Sequence, residues 1–594
     1  MAILLYMETT LGPLGFTIPV QSLSSSHEVK MTPDDIMVWR NHLPMADLGT
    51  TAKKVYHAIS DCNKVNLGLK ERFEILELLR TPVQFISQSL RKHYMNQSSS
   101  LTKQQLTIAN LAETLQLEMA MGYKLIVEQL ENNTNTELRN TILPIALQRI
   151  IHYFTHILIR GYQLYTLAPK GVWKELHLVY RHAEKNHLLK QNNLQDDYKR
   201  ILLLAATYPY QWRQNEQDLL YSATESWITF ANLRDARPDK SKPGLLAIDL
   251  NEDKPPMSPF RGQIAMTSTC QSLDLEPLLE HIKQLLKTIE PNELQAKIAH
   301  HNEPEFVVST SVLNGLIREW EKSKPRVEER KELSQPVNIA LGLTATHFFV
   351  NNQKPFQSTQ GGEPQESMGL PTTGLGLQEV ASYTETTEID FSKVSLSATA
   401  VAGTSLYQMY PCTLVNQTSE GYGLLWSTDT YPAIQAGDVM GIEREVEGKK
   451  VWEVCAIRWL LHPNPNELRM GVESLAKNAK AGSAQLIKNG IPAGYYLRCL
   501  LLGSTILVPI LPFKSGSQIS ILLDDETTLM EVDVTQLVDS SGSYKRFKFN
   551  KKETTIQKPP SSSQKPPETP GTPGTKEEPD NKGPDTFDSI WSNL

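Results

Sequence analysis

Cys412-Thr413-Leu414-Val415 runs directly into Asn416-Gln417-Thr418-Ser419-Glu420-Gly421. A short apolar, β-branched run that gives way to a polar corner ending in glycine reads as strand, turn, strand, with Asn and Gly suited to the corner by their backbone freedom. The same texture continues downstream in Val451-Trp452-Glu453-Val454-Cys455-Ala456-Ile457 and Thr505-Ile506-Leu507-Val508-Pro509-Ile510. It recurs from Gln518 to Leu523 and from Met530 to Val534. Short strands at this spacing, split by Gly, Asn and Pro turns, specify a barrel or a sandwich. The C-terminal part is therefore assigned to a β-barrel over 391–480 and a second β region over 481–550.

Working towards the N-terminus, residues 353–390 are dominated by Gly, Pro, Gln, Ser and Thr without apolar periodicity, the composition of a flexible linker. A cut in it is expected to release a helical fragment from a β fragment. Before it, 237–352 is read as a small α/β region with a strand at Leu245–Leu250, helices near 275–289 and 310–322, and an apolar run from Val337 to Val350. Pro238-Asp239-Lys240-Ser241-Lys242-Pro243-Gly244 marks its boundary with a helical hairpin domain over 33–236.

That domain opens on Thr32-Pro33-Asp34-Asp35, with Thr at the N-cap and Pro at the first helical position. Leu69, Phe73, Leu76 and Leu79 then recur at helical spacing, and Thr81-Pro82 is read as the cap or kink of the next helix. Thr102-Lys103-Gln104-Gln105 is a capping box ahead of Ile108, Leu111, Leu115 and Met119. Trp173-x-x-Leu176-His177-x-x-Tyr180 resembles the first helix of a tetratricopeptide unit, but no second copy follows at that period, so an ordinary amphipathic helix is the better reading. Residues 1–32 lack periodicity and are assigned to a loose arm. The fold class is thus multi-domain: an α-helical N-terminal region, a small α/β region, a C-terminal barrel with further β-strands, and a disordered tail.

Composition narrows the function. The chain has 594 residues, 40% hydrophobic and 21% charged, with a formal charge of −7. A general nucleic-acid binder shows a basic excess, so none is expected as a partner. Cys62, Cys270, Cys412, Cys455 and Cys499 are far apart, with no CxxC pair, and are read as reduced and buried. The apolar stretch Thr141–Ala168 carries Arg149, His152, His156 and Arg160, a charge density that opposes a membrane span. Without a positively charged leader the chain is expected in the cytoplasm. No phosphate loop, HExxH helix, GxSxG elbow or kinase signature is present, so the protein is not expected to be an enzyme, nor to hold a metal or a cofactor.

The corner at Asn416–Gly421 is followed in order by Gly437-Asp438-Val439, Ile457-Arg458-Trp459 and Met470-Gly471-Val472-Glu473. This order and spacing resemble a PilZ domain, a bacterial module known as a receptor for cyclic di-GMP. Asn416, Thr418 and Gly421 fall on the defined positions of that family's [D/N]xSxxG motif, with Thr in place of Ser, while Arg458-Trp459 and Gly471-Val472 match later barrel strands. The whole is also similar to uncharacterised proteobacterial proteins with a helical region before a PilZ-type domain. The resemblance implies a ligand with two phosphates and two guanine edges. Small polar side chains and a glycine let backbone approach it, and guanidinium groups pair with phosphate oxygens or with guanine O6 and N7. The residues it implies for nucleotide binding are Asn416, Thr418, Gly421 and Arg458.

In the family, two guanidiniums come from an Arg-x-x-x-Arg motif just upstream of the first strand. Here that motif is missing: no arginine lies between Arg330 and Arg444, and Lys393 is the only cation between the linker and Asn416, a point charge without the guanidinium fork. The chain therefore reads as a bacterial signalling or adaptor protein with a degenerate PilZ-like domain that mainly binds other proteins. The alternative is a cyclic di-GMP-binding effector, and a third reading, an enzyme in the helical region, has no motif behind it.

Lys551 to Asp585 is too rich in Pro, Lys, Glu, Ser and Thr to fold, and 551–585 is assigned to a disordered tether. It ends in 586–594, where Phe587, Ile590, Trp591 and Leu594 share one helical face and Asp585 can cap its start. Large apolar side chains on a tether suit helix-in-groove docking, and these four are assigned to partner binding, with the helical region as a second protein-binding surface. Deleting 586–594 is expected to remove at least one protein from a bacterial-lysate pull-down and leave thermal melting unchanged. A lowered melting temperature with every partner retained would instead identify an apolar plug.

Overall fold

The computed structural model describes residues 9–22, 29–95, 101–131, 133–235, 243–259, 269–289, 295–298, 306–321, 330–356, 407–428, 431–524 and 528–557. The docking segment with Phe587, Ile590, Trp591 and Leu594, the tether beyond 557 and most of the assigned linker lie outside them.

Within the assigned loose arm, residues 9–22 are ordered against the helices. Strands β1 (Thr9–Leu11) and β2 (Thr17–Pro19) form a hairpin whose Phe16 is fully buried. The Leu14 N–H donates to the Glu128 carboxylate at 3.1–3.2 Å, and the Thr17 N–H donates to Glu175 Oε1 at 2.8 Å. Glu175 in turn accepts from the buried Lys124 ammonium at 2.8 Å. The arm thus satisfies acids that the helices leave at their surface, which is why it docks without a periodic pattern of its own.

The helices are α1 (Pro33–Asn41), α2 (Leu48–Lys64), α3 (Leu69–Tyr94), α4 (Lys103–Glu131), α5 (Thr136–Gln163), α6 (Val172–Lys185), α7 (Leu194–Ala206) and α8 (Gln214–Trp227). Both expected starts form: the Asp35 N–H donates to Thr32 Oγ1, and Thr102 and Gln105 exchange side-chain and backbone bonds at 2.9 and 3.2 Å. Pro82 neither caps nor ends a helix but lies within α3. The stripe Leu76, Leu79, Val83, Ile86 and Leu90 continues through it into the core, so packing outweighs the lost backbone bond. Helix α5 is long and apolar enough to cross a membrane, but 67% of its most apolar window is buried inside the protein. His177, in α6, is buried between the Tyr198 hydroxyl at 2.7 Å and the Lys254 carbonyl at 2.9 Å.

The region read as a separate α/β unit divides in two. Its first part contains β3 (Asn232–Arg234), β4 (Leu245–Asp249), β5 (Cys270–Asp274), α9 (Glu276–Lys287), the hairpin β6 (Gln295–Ile298) and β7 (Phe306–Ser309), and α10 (Thr310–Trp320). Strand β5 is central between β3 and β4, and these elements share one apolar core with the helices. The Trp320 indole N–H donates to the Ala206 carbonyl at 2.9 Å. Too few apolar residues are present here for an independent core, so the helical domain supplies the other half.

Its second part belongs to the barrel. Strand β8 (Lys331–Leu341) leads into α11 (Gly342–Val350), where Gly342 takes a φ of 77° to redirect the chain. Beyond the assigned linker come β9 (Met409–Gln417), β10 (Gly421–Ser427), β11 (Val439–Val446), β12 (Lys449–Asn464) and β13 (Glu467–Ala476). The barrel closes in the order β10-β13-β12-β11-β8-β9, so the assigned boundary at 391 cuts off its first strand. Val337 and Ile339 of β8 enter a core with Leu414, Leu424, Ile457 and Met470. The apolar run that looked like one element is the inward half of a strand followed by a helix.

A second closed barrel is formed by β14 (Lys480–Lys488), β15 (Ile491–Leu502), β16 (Thr505–Val508), β17 (Gln518–Leu523), β18 (Thr528–Ser540) and β19 (Lys545–Gln557). Strand β19 pairs with β18 as far as Thr528↔Gln557, so 551–557 is strand rather than tether. The two barrels share an apolar seam that includes Leu343, Val439 and Ala456 from one and Leu500, Leu507 and Tyr544 from the other. All five cysteines are free and buried.

Because β8 pairs with both β9 and β11, a cut between 357 and 406 leaves the barrel held from both sides. The two fragments are expected to co-elute in gel filtration and to part only in denaturant, contrary to the release that a simple linker predicts. Fragments that separate in plain buffer would show that the barrel closes without β8.

Candidate functional site

The corner between β9 and β10 is fixed by its own short polar residues. The Thr418 N–H donates to the Gly421 carbonyl at 2.9 Å and its hydroxyl donates to the same oxygen at 3.3 Å. A side chain at Gly421 would run into the Val472 carbonyl, so the close approach of β10 to β13 needs glycine here. The Ser474 N–H donates to the Glu420 carbonyl at 2.8 Å. Beneath the corner, buried Glu453 accepts from the Ser474 hydroxyl and, at 2.8 Å, from the Tyr422 hydroxyl. The Arg444 guanidinium lies 5.0 Å over the Tyr422 ring. The corner is therefore tied down from inside the barrel as well as along its rim.

On the outer face, pairing aligns Asn416 with Gly423, Gly423 with Gly471, and Gly471 with Trp459, across β9, β10, β13 and β12. Tyr422, Leu424, Met470 and Val472 enter the core, so by strand alternation Gly423 and Gly471 face outwards. A side chain at Gly423 would meet the Asn416 amide at 2.5–2.8 Å, and one at Gly471 would meet the Trp459 indole. The two glycines make a low stripe with an amide laid over one end and an indole over the other. A register shift flanks the stripe on each side, at Val415 in β9 and at Arg458 in β12.

Of the residues assigned to nucleotide binding, Asn416, Thr418 and Gly421 come together at this corner. Arg458 does not join them. Its Nε donates to Glu473 at 2.7 Å and its Nη2 donates to Asp539 of the second barrel at 2.8 Å. The Tyr544 hydroxyl also donates to Asp539, at 2.6 Å. Burial opposes the Asp539 charge, but Arg458 and Tyr544 together hold its carboxyl below the usual range. Arg458 touches the corner only through Glu473, the pairing partner of Gly421.

The guanidiniums that seemed to be missing stand before β8. Lys331 pairs with Gln417 and Glu332 with Asn416, so the start of β8 lies along the corner. Immediately upstream the sequence reads Arg326-Val327-Glu328-Glu329-Arg330, the Arg-x-x-x-Arg spacing. Arg330 is exposed at the entry to β8, while Arg326 lies outside the described residues. The spacing thus lies upstream of β8, the barrel's first strand, and not upstream of β9.

Close by, the other domains converge on the same barrel. Arg213, at the start of α8, makes an ion pair with Asp438. The Gly437 carbonyl next to it accepts from the hydroxyls of Ser541 and Ser543 of the second barrel, at 2.7 and 2.8 Å. The Gly437 N–H donates to the Ile457 carbonyl at 2.7 Å, one residue from Arg458.

Comparison with known proteins agrees with this layout. Three family models match successive parts of the chain: the N-terminal domain of the cyclic-di-GMP receptor FimW over 34–239, its middle PilZ domain over 245–481 and its C-terminal β-barrel domain over 482–551. A curated relative, the cyclic-di-GMP receptor FimW of Pseudomonas aeruginosa strain PAO1, is 28% identical over 634 aligned positions that cover 99% of this chain and 100% of that protein. No solved structure matches. The middle match begins well before β8 and runs through β13, in keeping with a barrel whose first strand precedes the assigned linker. The chain carries a PilZ domain over 245–481, in the arrangement those three models describe: a helical N-terminal domain, a middle PilZ domain and a C-terminal β-barrel.

Proposed function

We propose that the first barrel is a receptor surface for cyclic di-GMP, with the Asn416–Gly421 corner and the Arg326/Arg330 pair as its two halves. Of the two main readings of the sequence, this is the alternative rather than the protein-binding adaptor with a degenerate domain, and the name of the 28% identical relative supports it. The observation that carries it is the pairing of Lys331 with Gln417 and Glu332 with Asn416, which sets the start of β8 beside the corner. Arginine supplies a planar fork for phosphate oxygens or for a guanine edge, and the corner supplies small polar groups and accessible backbone. The glycine stripe lets the Asn416 amide and the Trp459 indole lie close against the sheet beside the corner.

In this reading the nucleotide is a signal and not a cofactor, and the protein is a cytoplasmic binding protein and not an enzyme. Its output passes to other proteins through the helical domain.

Isothermal titration of the full chain with cyclic di-GMP is expected to give a saturable isotherm. Charge-assisted bonds contribute roughly 1.5–3 kcal/mol each, so replacing Arg326 and Arg330 together with Ala should weaken binding by about a hundred-fold or more. Gly423→Ala should push the Asn416 amide off its seat and cost roughly ten-fold in affinity, about 1.4 kcal/mol, with little change in melting temperature. Wild-type protein that gives no heat of binding, or an arginine double variant that binds as well as wild type, would overturn the reading.

A further inference from the structure

Arg458 occupies an unusual position. It is the extra residue of a bulge, since Ile457 pairs with Val472 and Trp459 with Gly471, which leaves Arg458 without a partner of its own in the ladder. Its side chain can therefore be redirected without breaking strand register. The guanidinium is divided between two acids of different domains: Glu473 beside the nucleotide corner, and Asp539 in the second barrel.

Charge decides which acid holds it. Gly421 pairs with Glu473, and Glu420 is the residue before it, so a nucleotide with two phosphates on this corner lies next to carboxylates that repel it. Arg458, already bonded to Glu473 at 2.7 Å, is a cation at hand there. Turning it wholly towards Glu473 and the nucleotide offsets that repulsion, and the bond given up is the one to Asp539. Asp539 would still keep the Tyr544 hydroxyl at 2.6 Å, so it is not left without a partner.

The segment on the far side of that bond is lightly held. Residues 541–543 touch the PilZ barrel through the two serine hydroxyls on the Gly437 carbonyl, and Gly542 packs against Arg213 of the helical domain. The apolar seam through Leu500, Leu507 and Tyr544 keeps the barrels joined whatever this turn does.

We propose that Arg458 is a charge switch: an anionic nucleotide on the Asn416–Gly421 corner draws its guanidinium from Asp539 and loosens the 541–543 turn of the second barrel. The effect reaches the helical domain through Gly437, Asp438 and Arg213. This rests on the receptor reading above. By linkage, whatever weakens the Arg458–Asp539 bond must tighten nucleotide binding to the same degree.

The test uses the full chain and cyclic di-GMP. Asp539→Asn is expected to bind the nucleotide about ten-fold more tightly than wild type in isothermal titration. In wild type, saturating nucleotide is expected to speed hydrogen exchange at the backbone amides of Ser541, Gly542 and Ser543. If wild type does not bind, the receptor reading falls and the switch with it. If wild type binds and Asp539→Asn binds equally or more weakly, the switch alone is overturned. Should Asp539→Asn fail to fold, exchange in wild type decides: faster exchange supports the switch, and unchanged or slower exchange overturns it.

Discussion

The pairing of β8 with β9 is the constraint on which the rest of the PilZ barrel depends. It joins two strands that are far apart in sequence and closes the barrel between β11 and β10. It also sets the register in which Lys331 and Glu332 meet Gln417 and Asn416, and so places Arg330 at the corner. A slip of one residue would turn Val337 and Ile339 out of the core and move Arg330 along the rim. The stability of the barrel and the composition of its site are thus set by the same ladder.

The domains are joined by two kinds of contact with different consequences. The seam between the barrels is apolar and insensitive to the ionic surroundings. The contacts around Gly437 and Asp438 are polar: an ion pair to the helical domain and two hydroxyl bonds to the second barrel. Polar contacts of this kind can be exchanged for others at modest cost, whereas the seam cannot be opened without exposing Leu500, Leu502 and Leu507 to water. An apolar hinge beside an exchangeable polar cluster permits local change without separation.

Much of the helical domain was legible because its apolar residues recur at helical spacing and its caps are local. Thr32, Thr102 and Gln105 act within four residues of themselves. The β-rich character of the C-terminal part was legible for the same reason. The barrel's first strand was not, because consecutive strands are normally neighbours and a long polar stretch separates β8 from β9. Its polar first half, Lys331-Glu332-Leu333-Ser334-Gln335-Pro336, also hides the alternation. The Arg-x-x-x-Arg spacing at Arg326 and Arg330 stands before β8, and with the first strand placed after the long polar stretch the motif reads as missing. The role of Arg458 could not be read at all, since its partner Asp539 lies in another barrel, eighty-one positions away. Asn416, Thr418 and Gly421 came together as expected because their arrangement is local to one turn.

The order in which the chain leaves the ribosome gives the β8–β9 pairing a further consequence. At ordinary synthesis rates, β8 emerges on the order of several seconds before β9, with its hydrogen-bonding edge open in the interval. An open edge is a template for pairing with another chain, and natural edges are blunted by charge and proline. Lys331, Glu332 and Pro336 supply both along the half of β8 that leads. The polar residues that concealed this strand thus also guard the nascent protein against aggregation while it waits for its partner.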